Sequence, residues 1–173
     1  MLQDGYLSVL EARNREEFLG EVVRFTKRLG FETVSATTII DHFLGESEFI
    51  TVDNTPPSFR GVFEEADSGR RDPVMQHCKR QSVPIVWNRD TYLRSGQADL
   101  WDQQARFGYR TGVAMALHLP EGRHFMIGVD RDQDLPANRM ELTRIVADLQ
   151  LFAVHAQEAA LRIMLPAAKE DGA

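Results

Sequence analysis

The fold class is decided by the stretch VAMALHLPEGRHFMIGVD, which occupies residues 113–130. Its two ends, Val113 to Leu119 and His124 to Asp130, are dominated by apolar residues and are predicted to be β-strands. A short turn around Pro120 and Gly122 separates them, and its length suits a β-hairpin. Because the two strands of a hairpin run in opposite directions, the stretch predicts an antiparallel sheet.

Another hairpin is predicted earlier in the chain. The segment from Phe31 to Ile40 is rich in Val, Thr and Ile, and Glu48 to Asp53 is its partner across a polar connection that contains Gly45. One more short extended segment, Val83 to Trp87, brings the expected sheet to about five strands.

Helices are predicted before, between and after these strands. The first long helix begins after the capping residue Asn14, has one apolar face, and ends at Gly30, a residue type that often terminates helices. Later helices are expected at Asp72 to Gln81 and Pro136 to Leu165, and one or two helices are expected between Asp90 and Phe107. Because helices must cover both faces of the sheet, the chain is predicted to be an α/β/α sandwich around a central antiparallel sheet.

Length and composition limit the possible functions. The 173 residues suit one domain, predicted here over residues 1–165, with a polar tail over residues 166–173. A formal net charge of −6 opposes binding to a phosphate backbone, so direct DNA or RNA binding by this segment is not expected. The start, Met1 to Gly5, lacks the features of a signal peptide, and the apolar runs are too short to span a bilayer. A cytoplasmic chain with no membrane partner is therefore expected.

The sequence contains no recognisable catalytic or metal-binding constellation. His77 and Cys78 are neighbours on a predicted helix and point about 100° apart, which does not suit a catalytic dyad. Cys78 is expected to be a small buried residue. His118 and His124 flank a hairpin turn and can approach each other, but a third ligand at metal-binding spacing is missing. Neither a metal nor a cofactor is expected, and the chain is predicted not to be an enzyme.

Aromatic residues surround one acid between residues 54 and 101. A helix is predicted to begin at the two prolines of residues 56 and 57, and it carries two of these rings on one face. The whole set consists of Phe59, Phe63, Asp72, Trp87, Tyr92 and Trp101. It is compatible with a packed core in which Asp72 caps a helix, and with a cavity that has one buried acceptor. Both interpretations can hold together, since one carboxylate oxygen can cap the helix while the other faces a ligand.

Three motifs lie in register along the chain. The first is the Asp72-Pro73 helix start, followed fifteen residues later by Trp87 at the end of the strand Pro84 to Trp87. The second is the segment Gly108 to Gly112, which leads into Val-Ala-Met-Ala-Leu-His. The third is Asp4-Gly5-Tyr6-Leu7 ahead of an amphipathic helix pair. Together they resemble the autoinducer-binding domain of LuxR-type quorum-sensing regulators, over roughly residues 4–165.

The resemblance implies a ligand and a set of contacts. Members of this family bind N-acyl homoserine lactones between the sheet and one helical layer. Asp72 is implied to accept a hydrogen bond from the ligand amide N–H, a group whose burial without a partner costs about 1–3 kcal/mol. Trp87 is implied to pack against the lactone ring. The other implied lining residues are Thr37, Ile39, Thr51, Val74, Tyr92 and Trp101.

Four positions depart from the family pattern. The helix that usually carries Tyr, Trp and Tyr at successive i+4 positions has Thr55, Phe59 and Phe63 instead. The indole that usually donates to the lactone carbonyl is therefore a phenylalanine, and Gly128 replaces a hydroxyl residue on the last strand. Thr55, Thr37 or a bridging water can substitute for the missing groups. Three outcomes stay open: an atypical acyl lactone such as a branched or aryl one, a non-lactone small molecule, or an empty pocket.

The resemblance also implies partners. In the family a DNA-reading helix-turn-helix follows the sensor, whereas this sequence ends at Ala173, as expected of an excised sensor domain or a truncated form. DNA contact is therefore expected only through an attached domain, and a homodimer is expected, partly through the final helix. A dimerising antagonist of a full-length regulator is an alternative. An enzyme of acyl or amide chemistry, with His77 or Cys78 as its nucleophile or base, is less favoured.

Overall fold

The computed structural model describes residues 4–58 and 68–171. Within those ranges seven helices surround one five-stranded sheet. The helices are α1 (Asp4–Leu10), α2 (Arg15–Leu29), α3 (Ser68–Arg71), α4 (Pro73–Arg80), α5 (Arg89–Arg94), α6 (Ala98–Ala105) and α7 (Arg139–Asp171). The strands are β1 (Thr33–Ile40), β2 (Glu48–Asp53), β3 (Ile85–Trp87), β4 (Thr111–Leu119) and β5 (Arg123–Arg131).

The sheet is antiparallel at every pairing, in the order β2-β1-β5-β4-β3. Both predicted hairpins are confirmed: β1 pairs with β2, and β4 pairs with β5 across a single turn of 3-10 helix at Pro120–Gly122. The long pairing of β1 with β5 joins the two hairpins into one sheet. Residues of β1 and β5 therefore stand side by side at its centre.

The predicted ends of helix α2 are confirmed. The Asn14 side chain accepts a hydrogen bond from the Glu17 backbone N–H at 2.9 Å, which satisfies one of the free donors of the first turn. Gly30 ends the helix with φ at 100°, a left-handed conformation that glycine adopts without a steric cost. Phe18 and Val22 on the apolar face are buried against the sheet.

One helical layer consists of α1, α2 and α7, and it holds the larger core. Aromatic rings stack inside it, with the centroids of Phe25 and Phe152 only 3.9 Å apart and the two ring planes nearly parallel. The sheet contributes the alternate residues that point to this side, among them Val34, Val113, Met115, Phe125, Ile127 and Val129. Helix α7 crosses this face and buries Leu149, Phe152, Ala153 and Ala156 completely.

The other helical layer consists of α3 to α6 and forms a smaller cluster on the opposite face of the sheet. Its buried members are Val74, Cys78, Trp87, Tyr92, Leu100, Trp101, Tyr109, Ala114 and Ala116. Helices on both faces of the sheet confirm the predicted α/β/α sandwich. Across residues 4–58 and 68–171 no helix has the length and apolar character needed to cross a membrane.

The segment from Asp90 to Phe107, expected to hold one or two helices, forms two, because the chain turns between them at Gly96 with φ at 73°. Both ends of the final helix differ from the sequence-based expectation. The sequence predicts that the final helix runs from Pro136 to Leu165, yet it begins at Arg139, after the capping residue Asn138, and its backbone stays helical to Asp171. The helix expected after residue 56 begins at residues 57 and 58, and its remainder lies outside the described residues.

Candidate ligand-binding cavity

A cavity of about 410 Å³ lies between the sheet and the α4 to α6 layer. That volume falls within the range of small-molecule sites. Its described lining consists of Ser35, Thr37, Ile39, Phe49, Thr51, Asp53, Thr55, Asp72, Val74, Met75, Trp87, Tyr92, Gln104, Tyr109, Ala114, Met126, Gly128 and Asp130. The lining combines apolar surface with a limited set of polar groups, which is the usual composition of a binding pocket.

The sheet wall of the cavity follows from strand alternation. Side chains two residues apart share a face, so one face collects every second residue of β1, β2 and β5. In register across the sheet, Thr37 opposes Thr51 on one side and Met126 on the other. The two threonine hydroxyls bond each other at 2.9 Å, which leaves the pair with spare capacity toward the cavity.

Asp72 is held in place at the floor of the cavity by both of its oxygens. Oδ1 accepts from the backbone N–H of Val74 at 2.8 Å and of Met75 at 3.3 Å, so the side chain caps helix α4. Oδ2 accepts from the Tyr92 hydroxyl at 3.0 Å. The residue is only 6% exposed, and these bonds fix its carboxylate plane toward the cavity.

Burial controls the electrostatics of this pair. Burial raises the pKa of Asp72 above its usual value, while the hydrogen bonds from Met75, Tyr92 and Val74 lower it. Burial also raises the pKa of Tyr92 far above its usual value, and the nearby Asp72 carboxylate raises it further. The Tyr92 hydroxyl therefore stays neutral and donates a hydrogen bond to Asp72, and the Gln104 side chain forms a second hydrogen bond with this hydroxyl.

The Trp87 ring forms an aromatic wall of the cavity over the start of β4. It is 4% exposed and meets Tyr92 edge to face, with ring centroids 5.7 Å apart. The indole packs directly over Gly112, where an added Cβ would lie 2.7 Å from Nε1 and 2.4 Å from the Val129 carbonyl oxygen. Gly112 thus admits the indole, and no other residue type fits there without movement.

The cavity is polar at one end and apolar at the other. The Tyr109 hydroxyl lies at the polar end, where burial raises its pKa and the hydroxyls of Thr55 and Thr33 counteract that rise. Thr33 pairs with Asp130 across the sheet, which places the Asp130 carboxyl at the same end. Along β1 in the other direction, Ile39 is paired with Phe49, and both line the apolar end.

The structure brings most of the sequence-predicted site residues to this one cavity. Those that line it are Thr37, Ile39, Thr51, Thr55, Asp72, Val74, Trp87, Tyr92 and Gly128. Phe59 and Phe63 lie outside the described residues. Trp101 lies apart from the cavity: its Nε1 donates to the Arg110 carbonyl at 3.0 Å, and the Arg89 and Arg110 guanidinium groups flank its ring. Its indole faces a separate depression on the outer side of α5 and α6.

The sequence-based set omits several lining residues. Strand alternation could have indicated four of them. Because Gly128 and Thr51 face the cavity, their neighbours two residues away, which are Met126, Asp130, Phe49 and Asp53, face it too. No such pattern indicated Gln104 and Tyr109, since these residues reach the cavity from the end of α6 and the loop after it. Their positions depend on tertiary packing.

The histidines and Cys78 are engaged in structural contacts. His118 and His124 do approach, with their Nδ1 atoms 2.8 Å apart; His124 also bonds Asp41, and His118 bonds the Cys78 carbonyl. Burial raises the pKa of the Cys78 thiol to about 11, so it is protonated at neutral pH. In the described part of the chain, no group of three acids, histidines or cysteines is arranged to hold a metal ion.

A cavity with an amphipathic lining, placed between a sheet and a helical layer, is typical of a ligand-binding domain. The sequence model of the autoinducer-binding domain matches residues 14–160. The chain therefore belongs to the autoinducer-binding domain family, as its motifs predicted.

Individual relatives agree with this assignment. The transcriptional activator AhyR of Aeromonas hydrophila is 25% identical over 174 residues, covering 96% of this chain and 64% of AhyR. The chain thus spans less than two thirds of that relative. CepR2 of Burkholderia cenocepacia, described as an N-acylhomoserine lactone dependent LuxR-family factor, has the same fold with a TM-score of 0.74 at 20% identity, covering 92% of this chain and 93% of CepR2. SdiA in complex with octanoyl-rac-glycerol gives 0.75 at 19% identity, covering 91% of this chain and 63% of SdiA.

Proposed function

We propose that this domain binds an N-acyl homoserine lactone, or a closely related acyl amide, as a signal. The observation that carries the proposal is Asp72, a buried carboxylate fixed by the α4 backbone and by Tyr92 at the cavity floor. Such a group is suited to accept a ligand amide N–H, because the acceptor is already oriented and desolvated before the ligand arrives.

The rest of the cavity suits the other two parts of such a molecule. Ile39, Phe49 and Met126 offer apolar surface for an acyl chain, in line with the hydrophobic gain of burying each methylene. Trp87 offers a flat face for a small ring. Thr55 and Tyr109 supply hydroxyls near the polar end, where they can donate to ligand carbonyls in place of the indole that the family usually provides.

Native mass spectrometry tests the ligand directly. The domain would be produced with and without a panel of acyl homoserine lactones that includes branched and aryl acyl chains, and the retained mass would identify what binds. Retention of one panel member, at one molecule per chain, is the expected result. Purified domain that retains no lactone, and whose melting temperature no lactone raises, would refute the proposal.

We further propose that the domain works within a longer regulator. AhyR is a transcriptional activator, and this chain spans 64% of its length. Ligand binding would favour the folded, DNA-competent state of an attached helix-turn-helix domain in the cytoplasm. The domain itself would carry out no turnover: Cys78 is 2% exposed with a protonated thiol, and His77 bonds the Val83 carbonyl at 2.7 Å. Hydrolysis of a panel lactone by the purified domain would contradict this part.

A homodimer through α7 is proposed on the exposure of its outer face. Over residues 139–165 of this helix, three large apolar side chains are exposed: Met140 at 78%, Leu151 at 39% and Val154 at 48%. Leu151→Glu is expected to shift the protein to monomer in sedimentation equilibrium, because a charge would then lie inside the interface. Gln103→Glu, which adds the same charge at an exposed residue of α6 on the other side of the sheet, is the matched control and should leave the dimer intact. Equal behaviour of the two variants would place the interface elsewhere.

A further inference from the structure

Asp130 is a second carboxyl group in the cavity, and the acceptor role proposed for Asp72 does not use it. It follows Gly128 by two residues on β5, so both point to the cavity face of the sheet. The Asp130 residue is partly accessible to solvent, yet protein atoms surround its carboxyl group. Both observations fit a side chain that faces a cavity. It is close enough to Asp72 for the two charges to affect each other.

The hydrogen bonding of Asp130 is incomplete. Oδ2 accepts from the Thr33 hydroxyl at 3.4 Å, a long bond, and the same hydroxyl lies 3.3 Å from the Asp130 backbone carbonyl. Among residues 4–58 and 68–171, no donor is bonded to Oδ1. A carboxylate can accept about four hydrogen bonds, so most of this capacity is open to the cavity.

Leaving such a group underbonded is costly. Burial raises the pKa of Asp130 to about 7, the Asp72 carboxylate adds to the rise, and only the Thr33 hydroxyl opposes it. The other titratable groups that line the cavity are Asp53, Asp72, Tyr92 and Tyr109, and the two tyrosines are neutral hydroxyls under ordinary conditions. A ligand donor placed there would satisfy Oδ1 and stabilise the ionised form.

We infer that Asp130 is a specificity-determining residue that accepts a hydrogen bond from an N–H or O–H donor in the ligand head group. This donor is additional to the amide N–H that meets Asp72, so the inference rests on the proposed function. A plain lactone ring presents only oxygen acceptors at that end and leaves Oδ1 unbonded. The cavity therefore favours acyl amides whose head group carries a hydroxyl or amino group.

Two probes that differ in one group test this. N-(2-hydroxyethyl)octanamide and N-propyloctanamide share the acyl chain and the amide, and differ only by a hydroxyl in place of a methyl group. Isothermal titration calorimetry on the whole chain would give both dissociation constants, with N-octanoyl homoserine lactone measured alongside. The hydroxyl probe is expected to bind about tenfold more tightly to the unaltered protein, as a bond to a charged acceptor would give.

Variants then assign the preference to one side chain. In Asp130→Asn the preference should fall to about threefold or less, because the acceptor is no longer charged, and in Asp130→Ala it should vanish. Asp132→Asn is the matched control and should retain the tenfold preference. Asp132 lies two residues after Asp130, and its exposed carboxylate pairs with Arg110. In the unaltered protein the preference should grow as pH rises through about 7.

The outcomes separate this inference from the proposed function. If the lactone binds while the two probes bind equally, the function stands and the role of Asp130 is refuted. A preference that survives in Asp130→Ala also refutes it, since the hydroxyl then bonds elsewhere. A preference that grows toward low pH would show Asp130 donating as an acid, which contradicts the inference. If neither probe nor the lactone binds, the function and the inference fail together.

Discussion

Replacing Asp72 by asparagine separates ligand recognition from folding. The asparagine oxygen can still accept from the Val74 and Met75 backbone N–H groups, so the α4 cap is retained. The group that replaces Oδ2 is an amide NH₂, which cannot accept the ligand N–H. Loss of a hydrogen bond to a charged acceptor costs about 1.5–3 kcal/mol, which corresponds to an increase of about 10- to 150-fold in the dissociation constant.

The stability of the Asp72→Asn variant should change little. A neutral amide avoids the cost of burying a charge, and the Tyr92 hydroxyl can rotate to accept a hydrogen bond from it. The free energy of unfolding in urea should therefore change by less than about 1 kcal/mol. Asp72→Ala differs: it removes the cap and leaves the hydroxyl of Tyr92, which is 2% exposed, without its acceptor. That variant is expected to lose about 2–4 kcal/mol.

Calorimetry with N-octanoyl homoserine lactone and urea unfolding provide the two measurements. Asp99→Asn is the matched control, because Asp99 is an exposed carboxylate that pairs with Arg71 outside the cavity, and lactone affinity should stay within about twofold. Lactone affinity of Asp72→Asn equal to that of the control would refute the acceptor role of Asp72. A large loss of stability in the same variant would show that the ionised form is needed for the fold.

Three further predictions follow from single contacts. Because burial raises the pKa of Asp130 to about 7, the native protein should lose stability as pH rises from about 4 to 7; urea unfolding should find Asp130→Asn more stable by about 2–4 kcal/mol at pH 8 and little changed at pH 4, and a pH-independent difference would contradict this. Gly112→Ala should cost about 3 kcal/mol or more in thermal unfolding, since its Cβ would meet the Val129 carbonyl at 2.4 Å, whereas Gly128→Ala, with 3.8 Å to Ala114, should be tolerated. The Cys78 thiol should resist a thiol reagent at pH 8 until the protein unfolds, because it is 2% exposed and its pKa is about 11; rapid labelling of the native protein would contradict that burial.

Local sequence signals predicted the parts of this fold that depend on neighbouring residues. The hairpin turn at residues 120–122, the Asn14 cap and the Asp72-Pro73 helix start each depend on conformational preferences within a few residues, and each is present. Strand alternation is equally local, so the cavity face of β1 could be assigned once Thr37 was placed on it.

What the sequence did not reveal depends on packing between distant elements. Trp101 and Trp87 are both buried aromatic residues of one cluster, yet only Trp87 turns toward the cavity, because the Arg110 carbonyl holds the Trp101 indole on the other side. Tyr109 follows a helix end, where no periodic pattern indicates which way a side chain points. Helix α7 continues past the expected end at residue 165 to Asp171, which the polar composition of residues 166–173 did not indicate.

The central sheet separates the cavity from the layer that contains α7. On β5, Gly128 and Asp130 face the cavity, whereas the alternating residues Ile127 and Val129 pack with the α7 side of the core. Adjacent residues share one backbone, so a ligand that displaces β5 by a fraction of an ångström displaces both faces together. A group that presses on Gly128 should therefore also change the packing of Ile127 and Val129 against the α7 layer.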